Sequence, residues 1–393
     1  MGAPGLRFLD AQTVDRRPQT RSPDPRPRPL PRTMKTENGS VRLGLIGCGF
    51  IGRKHLEAAR ELSDARFVGI ADLDRTLLDE VATTFAIDRT TTRADELIEA
   101  PDIDGIVVAL PTGVRTSIAR RVLESGKHLL VEKPVAMNAG EVEELISLQG
   151  DRVAACCSSR FRFMALAAVA RSALAEGKIG RLRTIRVEAL SPPPANRPEN
   201  PPAWRLSHRL NGGGILVNWG SYDLDFLLGI LDWAFTPINA TARTFPVPTL
   251  YADWIAPGSD AETHVIAQVN SADGVVLDYE RAEFHPGPSV FSWSISGDRG
   301  TLTFSPGANP VELILVSADD TGALKSVSLG QEILDHDVLH AGPVTDFVRS
   351  IRTGRPPMTS LRNALTAAKI TDAIYGSAAN DGRQQEITRK EPK

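Results

Sequence analysis

A chain of 393 residues with 41% hydrophobic and 24% charged residues has the composition of a folded protein and is long enough for two domains with separate cores. A formal net charge of -3 gives no electrostatic footprint for nucleic acid, and no run of about 18 apolar residues marks a membrane span. Cys48, Cys156 and Cys157 are odd in number and fit neither a disulfide framework nor a zinc spacing, which suits a cytoplasmic protein in a reducing compartment.

The charge is uneven. Residues 1–33 hold seven arginines and three aspartates, a balance of +4, so the remainder carries -7. These first residues are rich in proline and poor in aliphatics, and residues 1–40 are expected to be a disordered tail. Arg16-Arg17 is not followed by the apolar stretch of an export signal, and Met34 opens a segment that leads directly into a strand, as an ordinary start would.

From residue 41 the pattern predicts strands at Val41–Ile46, Arg66–Ala71, Ile103–Leu110, His128–Val131 and Val153–Cys156. Between them it predicts helices at Phe50–Leu62, Asp74–Phe85, Thr112–Ser125 and Asn138–Leu148. Strands alternating with helices mean βαβ units and a doubly wound parallel sheet, an N-terminal Rossmann domain over 41–157. After about residue 178 strand-like runs dominate, at Leu182–Leu190, Ala240–Phe245, His264–Asn270, Val275–Glu283, Ser289–Ser296 and Thr301–Phe304. They point to an α+β domain over 158–378 with a large open, mainly antiparallel sheet. Two closing helices, Val338–Arg352 and Leu361–Ser377, are candidates to pack back on the first domain, and 379–393 is expected to be a second disordered tail.

The strongest local motif is Gly47-Cys48-Gly49-Phe50-Ile51-Gly52. It leaves a strand, opens a helix, and is followed twenty residues after Gly52 by Asp72 at the end of the next strand. That is the full dinucleotide fingerprint: Gly47 for the turn, Gly49 for backbone approach to a pyrophosphate, Gly52 for helix–strand packing, with the helix N-terminus facing phosphate charge. Asp72 would bind ribose hydroxyls and repel a 2′-phosphate, favouring NAD; the nearby Arg53 and Arg75 keep NADP open.

A second signal is Glu132-Lys133-Pro134 after a predicted strand, which sets a lysine where open α/β sheets bind ligands. A third is Trp204-Arg205 followed by Gly212-Gly-Gly-Ile-Leu-Val-Asn218-Trp-Gly-Ser-Tyr222-Asp-Leu-Asp225. If helical, positions 218, 222 and 225 share one face. With the closing Phe347–Gly354 segment, these motifs make residues 41–378 resemble the Gfo/Idh/MocA (glucose–fructose oxidoreductase / inositol dehydrogenase) family. The resemblance implies a two-domain NAD(P)-dependent enzyme acting on the hydroxyl-bearing carbon of a sugar, cyclitol or related polyol. It implies a homodimer or homotetramer formed through the open sheet. It also implies a cofactor site at Gly47, Cys48, Gly49, Phe50, Ile51, Gly52, Asp72, Leu110, Pro111, Thr112, Glu132 and Lys133, and a substrate site at Asn218, Arg160, Trp204 and Arg205.

The chain departs from the family pattern where chemistry is expected. Asn218 stands where members usually carry Asp, and Tyr222 where they usually carry His. Asn218 cannot exchange a proton near neutral pH, whereas Tyr222 can if a neighbouring ammonium such as Lys133 lowers its pKa. Lys133 and Tyr222 are therefore the catalytic candidates. Arg115 stands where a histidine is usual; it could hold an anionic substrate group but reads better as a solvated helix residue. His208 could replace the missing base but reads better as an exposed loop histidine, and the proline-rich loop 191–203 reads as a cover or a long crossover. No cluster of metal-ligand spacing is visible, so no metal is expected. Two other classes of function share the scaffold: a cofactor-binding sensor without catalysis, and a glycosidase-type enzyme that retains NAD.

Overall fold

The computed structural model describes residues 39–158 and 160–387. The expected N-terminal tail lies outside the described residues except for Gly39 and Ser40, as do residues 388–393 of the expected C-terminal tail.

The first half of the chain builds a parallel sheet from β1 (Val41–Ile46), β2 (Ala65–Ala71), β3 (Thr90–Thr91), β4 (Gly105–Val108), β5 (His128–Val131) and β6 (Ala154–Cys156), in the order β3-β2-β1-β4-β5-β6. Helices α1 (Phe50–Arg60), α2 (Arg75–Phe85), α3 (Ala94–Ile98), α4 (Thr112–Glu124) and α5 (Ala139–Gln149) connect them. The order reverses between β1 and β4, and the crevice beyond the strand C-termini at that point is the ligand position of such sheets. Every residue of β4 is buried, with Ile106 and Val108 in one core and Val107 in the other, so the strand reads as a continuous apolar run. Sequence patterning passed over β3 and α3, which are too short to show a period. Side-chain caps start the helices where expected: Asp74 accepts from Leu77 N and Asn138 from Glu141 N.

Beyond a 3₁₀ turn at Arg160–Phe163, α6 (Ala165–Ala175) leads into β7 (Leu182–Leu190). A crossover then carries α7 (His208–Asn211), a π-helical turn at Leu216–Gly220 and α8 (Ser221–Ile230). The sheet continues with β8 (Pro237–Phe245), β9 (His264–Ser271), β10 (Val276–Ala282), β11 (Val290–Gly297), β12 (Gly300–Phe304), β13 (Val311–Ala318) and β14 (Leu324–Glu332). Its order is β14-β13-β12-β11-β7-β10-β9-β8-β15, where β15 is Gln385–Glu386. All its pairings are antiparallel except β7 with β10. One face is buried: in β9, Val265, Ala267 and Val269 point into the core while Ile266 is 44% exposed on the other side. Sequence patterning missed β13, although Val311, Leu313 and Leu315 alternate inward, and β14, an edge strand with little to bury.

Two helices, α9 (His336–Thr353) and α10 (Leu361–Ala379), close the fold. Val344, Phe347 and Val348 of α9 join the core of the first sheet. Leu361 and Ala364 of α10 also join the first sheet's packing, whereas Ala367, Ile370 and Ile374 enter the core of the second. Both closing helices therefore contribute side chains to the packing of the first sheet. The C-terminal expectation needs correction: β15 pairs with Ala240 and Asn239 of β8, and Ile387 N donates to Ile238 O at 2.8 Å. An unpaired edge strand offers free backbone groups, and the buried Ile387 adds apolar contact. No helix among the described residues is long and apolar enough to cross a membrane.

Candidate active site

The glycine-rich loop spans the end of β1 and the start of α1. Gly47 adopts φ 100°, and a side chain on Gly52 would meet Gly47 O at 2.1 Å, so both positions require glycine. A Cβ on Gly49 would have nothing within 4 Å, which leaves the α1 N-terminus open to an approaching phosphate. Asp72, just past β2, accepts from Cys48 N at 2.7 Å through one oxygen and from Asp74 N at 3.0 Å through the other. The half-buried carboxylate is therefore fixed at the loop, with remaining lone pairs for ribose hydroxyls. Arg53 is engaged with Glu80 at 2.8 Å. Phe50, inside the motif, and Leu73, next to Asp72, are exposed by 74% and 89%. These residues fit a dinucleotide.

At the end of β5, Glu132 turns inward rather than toward the crevice. Its Oε1 lies 3.0 Å from His55 Nε2 and its Oε2 accepts from Lys133 N at 3.0 Å. Burial pushes the carboxyl pKa up, but the His55 hydrogen bond and the charges of His55, Arg115 and Lys133 outweigh it and hold the group at about 2. Cys157 Sγ is 3.9 Å from His55 Nε2, and the donor atoms of His55, Glu132 and Cys157 all lie within 4.8 Å of one another. Sequence spacing revealed no such cluster. Its signal was the one polar residue on the buried stripe of α1, where His55 accompanies Gly52, Leu56 and Ala59.

Arg115 corrects the sequence reading outright. It is 4% exposed, and its guanidinium donates to Leu110 O and Pro134 O, tying the loop after β4 to the loop after β5. Carbonyls left unpaired beyond the strand ends take up its donors, so the side chain is drawn inward instead of solvated.

Lys133 Nζ donates to the backbone oxygen of Asn218 at 2.7 Å and lies 4.9 Å from the centroid of the Tyr222 ring. Burial, reinforced by the charges of Arg115, Arg160 and Arg205 and opposed by Glu132, lowers its pKa from 10.5 to about 8. Tyr222 is 5% exposed. Its hydroxyl accepts from Arg160 Nη2 at 2.8 Å, and Arg160 Cζ lies 4.9 Å from its ring centroid. The expectation that Lys133 would bring the phenol pKa down fails: burial raises it, the Arg160 charge offsets only part of that, and the ammonium faces the ring rather than the oxygen.

The π-helical turn changes what Asn218 can do. A wide turn shifts the residues after it out of α-helical register. Asn218, 8% exposed, has its amide in a buried network: Nδ2 donates to Arg205 O at 3.1 Å, and Oδ1 accepts from Asn211 Nδ2 at 3.0 Å. Asn211 Oδ1 in turn accepts from Thr112 Oγ1 at 3.1 Å. Asp225 sits at 0% exposure against Arg162. Arg205 forms a two-point ion pair with Glu283, Trp204 is 43% exposed, and His208 is exposed, at the first position of α7 rather than in a loop. The structure thus brings Lys133, Tyr222 and Arg160 together, with the backbone of Asn218, and turns the side chains of Glu132, Asn218 and Thr112 to protein partners. Trp219, which sequence reasoning did not single out, stands beside Tyr222 with ring centroids 5.6 Å apart.

A dinucleotide fold joined to an open sheet, with a lysine and a tyrosine at the seam, defines a two-domain nicotinamide-dependent oxidoreductase. The chain belongs to the Gfo/Idh/MocA family: the model of its NAD-binding Rossmann domain matches residues 41–156 and that of its C-terminal domain residues 168–303. It is similar to the levoglucosan dehydrogenase of Pseudarthrobacter phenanthrenivorans, 24% identical over 87% of this chain and 97% of that one. It is also similar to the inositol 2-dehydrogenase of Rhizobium meliloti, 25% identical over 86% and 97%. A solved levoglucosan dehydrogenase in complex with NADH and levoglucosan superposes with a TM-score of 0.76 at 23% identity, covering 89% of this chain and all of that one. The chain is accordingly an oxidoreductase whose cofactor is NAD.

Proposed function

We propose that the enzyme oxidises a secondary hydroxyl of a polyol, or reduces the corresponding carbonyl, with Lys133 as the proton-exchanging group and Tyr222 as its partner. The observation that carries this reading is the placement of Lys133 Nζ at the Asn218 carbonyl and over the Tyr222 ring, at the strand end where such sheets bind ligands. A polyol is the substrate class because the named relatives are a levoglucosan dehydrogenase and an inositol 2-dehydrogenase. Nicotinamide, when bound, would accept the hydride that leaves the substrate carbon with its electron pair. In oxidation neutral Lys133 would take the O–H proton as the C=O bond forms.

A lysine with a pKa of about 8 is matched to this task near neutral pH, whereas the raised phenol holds its own proton and acts as a hydrogen-bonding group. This reverses the roles that the sequence alone suggested. Arg160 fixes the phenol oxygen. Glu132 sets the Lys133 backbone, and the Asn218 amide fixes the turn that carries the carbonyl facing Nζ. Gly47–Gly52 and Asp72 hold the dinucleotide, and the outer face of the nine-stranded sheet forms the contact of a dimer or tetramer. NADH formation from a panel of sugars and cyclitols tests the reading. It stands if Lys133→Met lowers kcat by about 10²–10⁴-fold, and it falls if Lys133→Met turns over at the parental rate.

A further inference from the structure

The charges around Tyr222 distinguish one kind of polyol from another. Two cations flank its ring, Lys133 and Arg160, each 4.9 Å from the centroid. Lys133 Nζ is held by a carbonyl, and Arg160 by the Tyr222 hydroxyl and the His340 ring. Among the described residues no carboxylate pairs with either side-chain cation. The acids of this region are committed elsewhere. Glu132 is bound to His55 and the Lys133 amide, Asp223 to Arg281 and Tyr279, and Asp225 to Arg162. Glu262 is bound to the Gly214 and Leu216 amides and the Tyr375 hydroxyl, and Glu283 to Arg205.

Two partly buried cations side by side, with no carboxylate bonded to either and only the Glu132 charge acting on Lys133 from nearby, are costly to hold. An arginine fork with N–H donors to spare is the geometry that takes a carboxylate in two-point fashion, which an ammonium alone does not. Beside them, Trp219 is 37% exposed next to Tyr222, with Arg281 Cζ 5.1 Å from its ring centroid, and its exposed part is apolar surface for sugar C–H groups. Taking the oxidoreductase reading above as its basis, we infer that the substrate is an anionic polyol, a sugar acid whose carboxylate is received by Arg160 beside Lys133 while its carbon chain lies on Trp219. The carboxylate takes no part in the redox step; it fixes which hydroxyl faces Lys133.

The test is calorimetric titration of the full-length protein, saturated with NAD, with D-gluconate and D-glucuronate and with their uncharged counterparts D-glucitol and D-glucose. NADH absorbance is followed in parallel. At least one carboxylate is expected to bind about tenfold more tightly than its counterpart, and to weaken as sodium chloride is raised. Arg160→Gln should lose about tenfold more affinity for that carboxylate than for the neutral sugar, and Arg160→Lys should fall between the parent and Arg160→Gln. Carboxylates that bind no more tightly than the neutral compounds, or whose binding ignores salt, overturn the anionic class; the salt series on the unaltered protein decides this even if Arg160→Gln fails to fold. NADH formed from neutral sugars with no carboxylate preference leaves the oxidoreductase reading standing and removes this one. Tight, salt-sensitive carboxylate binding without NADH leaves the anion site standing and counts against the polyol-oxidising reading.

Discussion

Lys133 Nζ lies 2.7 Å from the main-chain oxygen of Asn218, so the end of β5 in the first sheet is bonded directly to the π-helical turn in front of α8. The lysine is held by an uncharged acceptor, and its charge is opposed by burial and by three arginines. This yields a pH prediction with a definite sign. With the pKa lowered from 10.5 to about 8, the amine is mostly protonated at pH 7 and loses its proton as pH passes 8. The kcat/KM for oxidation should rise through that point and that for carbonyl reduction should fall. Lys133→Arg should erase the step, and Lys133→Met should lower kcat by about 10²–10⁴-fold.

Tyr222→Phe should be milder than Lys133→Met. It removes a hydroxyl that accepts from Arg160 and keeps a ring that packs between two cations, so kcat/KM should drop by roughly tenfold, the worth of one charge-assisted hydrogen bond. The pH step near 8 should persist. A Tyr222→Phe profile without the step would move the titrating group from the lysine to the phenol.

Asn218→Asp should act on stability before it acts on chemistry. The native Nδ2 donates to Arg205 O; a carboxyl oxygen there either repels that carbonyl or must take up a proton. A loss of about 1–3 kcal/mol is expected in urea unfolding, the penalty for unsatisfied buried polar atoms.

His55→Leu strips the Glu132 carboxylate of its imidazole while both sites are buried. Breaking such a pair typically costs about 3–5 kcal/mol, and the unfolding midpoint should fall accordingly. The double variant with Glu132→Leu should regain part of the loss, because no buried charge is then left unpaired.

Asp72→Ser should narrow the preference for NAD over NADP by roughly tenfold, since it removes a charged acceptor for ribose hydroxyls and a source of repulsion for a 2′-phosphate. Calorimetric titration with both cofactors measures this. An unchanged ratio would take Asp72 out of the ribose contact and leave it only its bond to Cys48 N.

The elements carrying the dinucleotide site were legible because their signals are local: a buried apolar run, three glycines at fixed offsets and an acid twenty residues on. His128–Val131 and Leu182–Leu190 form strands at the very limits read from the sequence. The seam between the domains was less legible, since its geometry is made by long-range contacts. Arg115 looks like a surface residue until the carbonyls of Leu110 and Pro134 converge on it. His55 and Glu132 are 77 positions apart, and no spacing rule joins them. The assumption of regular α-helix at 216–220 put Asn218 and Tyr222 on one face, whereas the π-helical turn sends the Asn218 amide to Asn211 and Arg205.

Helix α10 gives its first turns to the packing of the parallel sheet and its later turns to that of the open sheet. A single rigid rod is therefore shared by two cores that would otherwise melt on their own schedules. Loosening either core withdraws support from the other, so heating should produce one calorimetric transition from a protein with two hydrophobic centres. The same rod limits how far the two walls of the cleft can separate to admit a substrate.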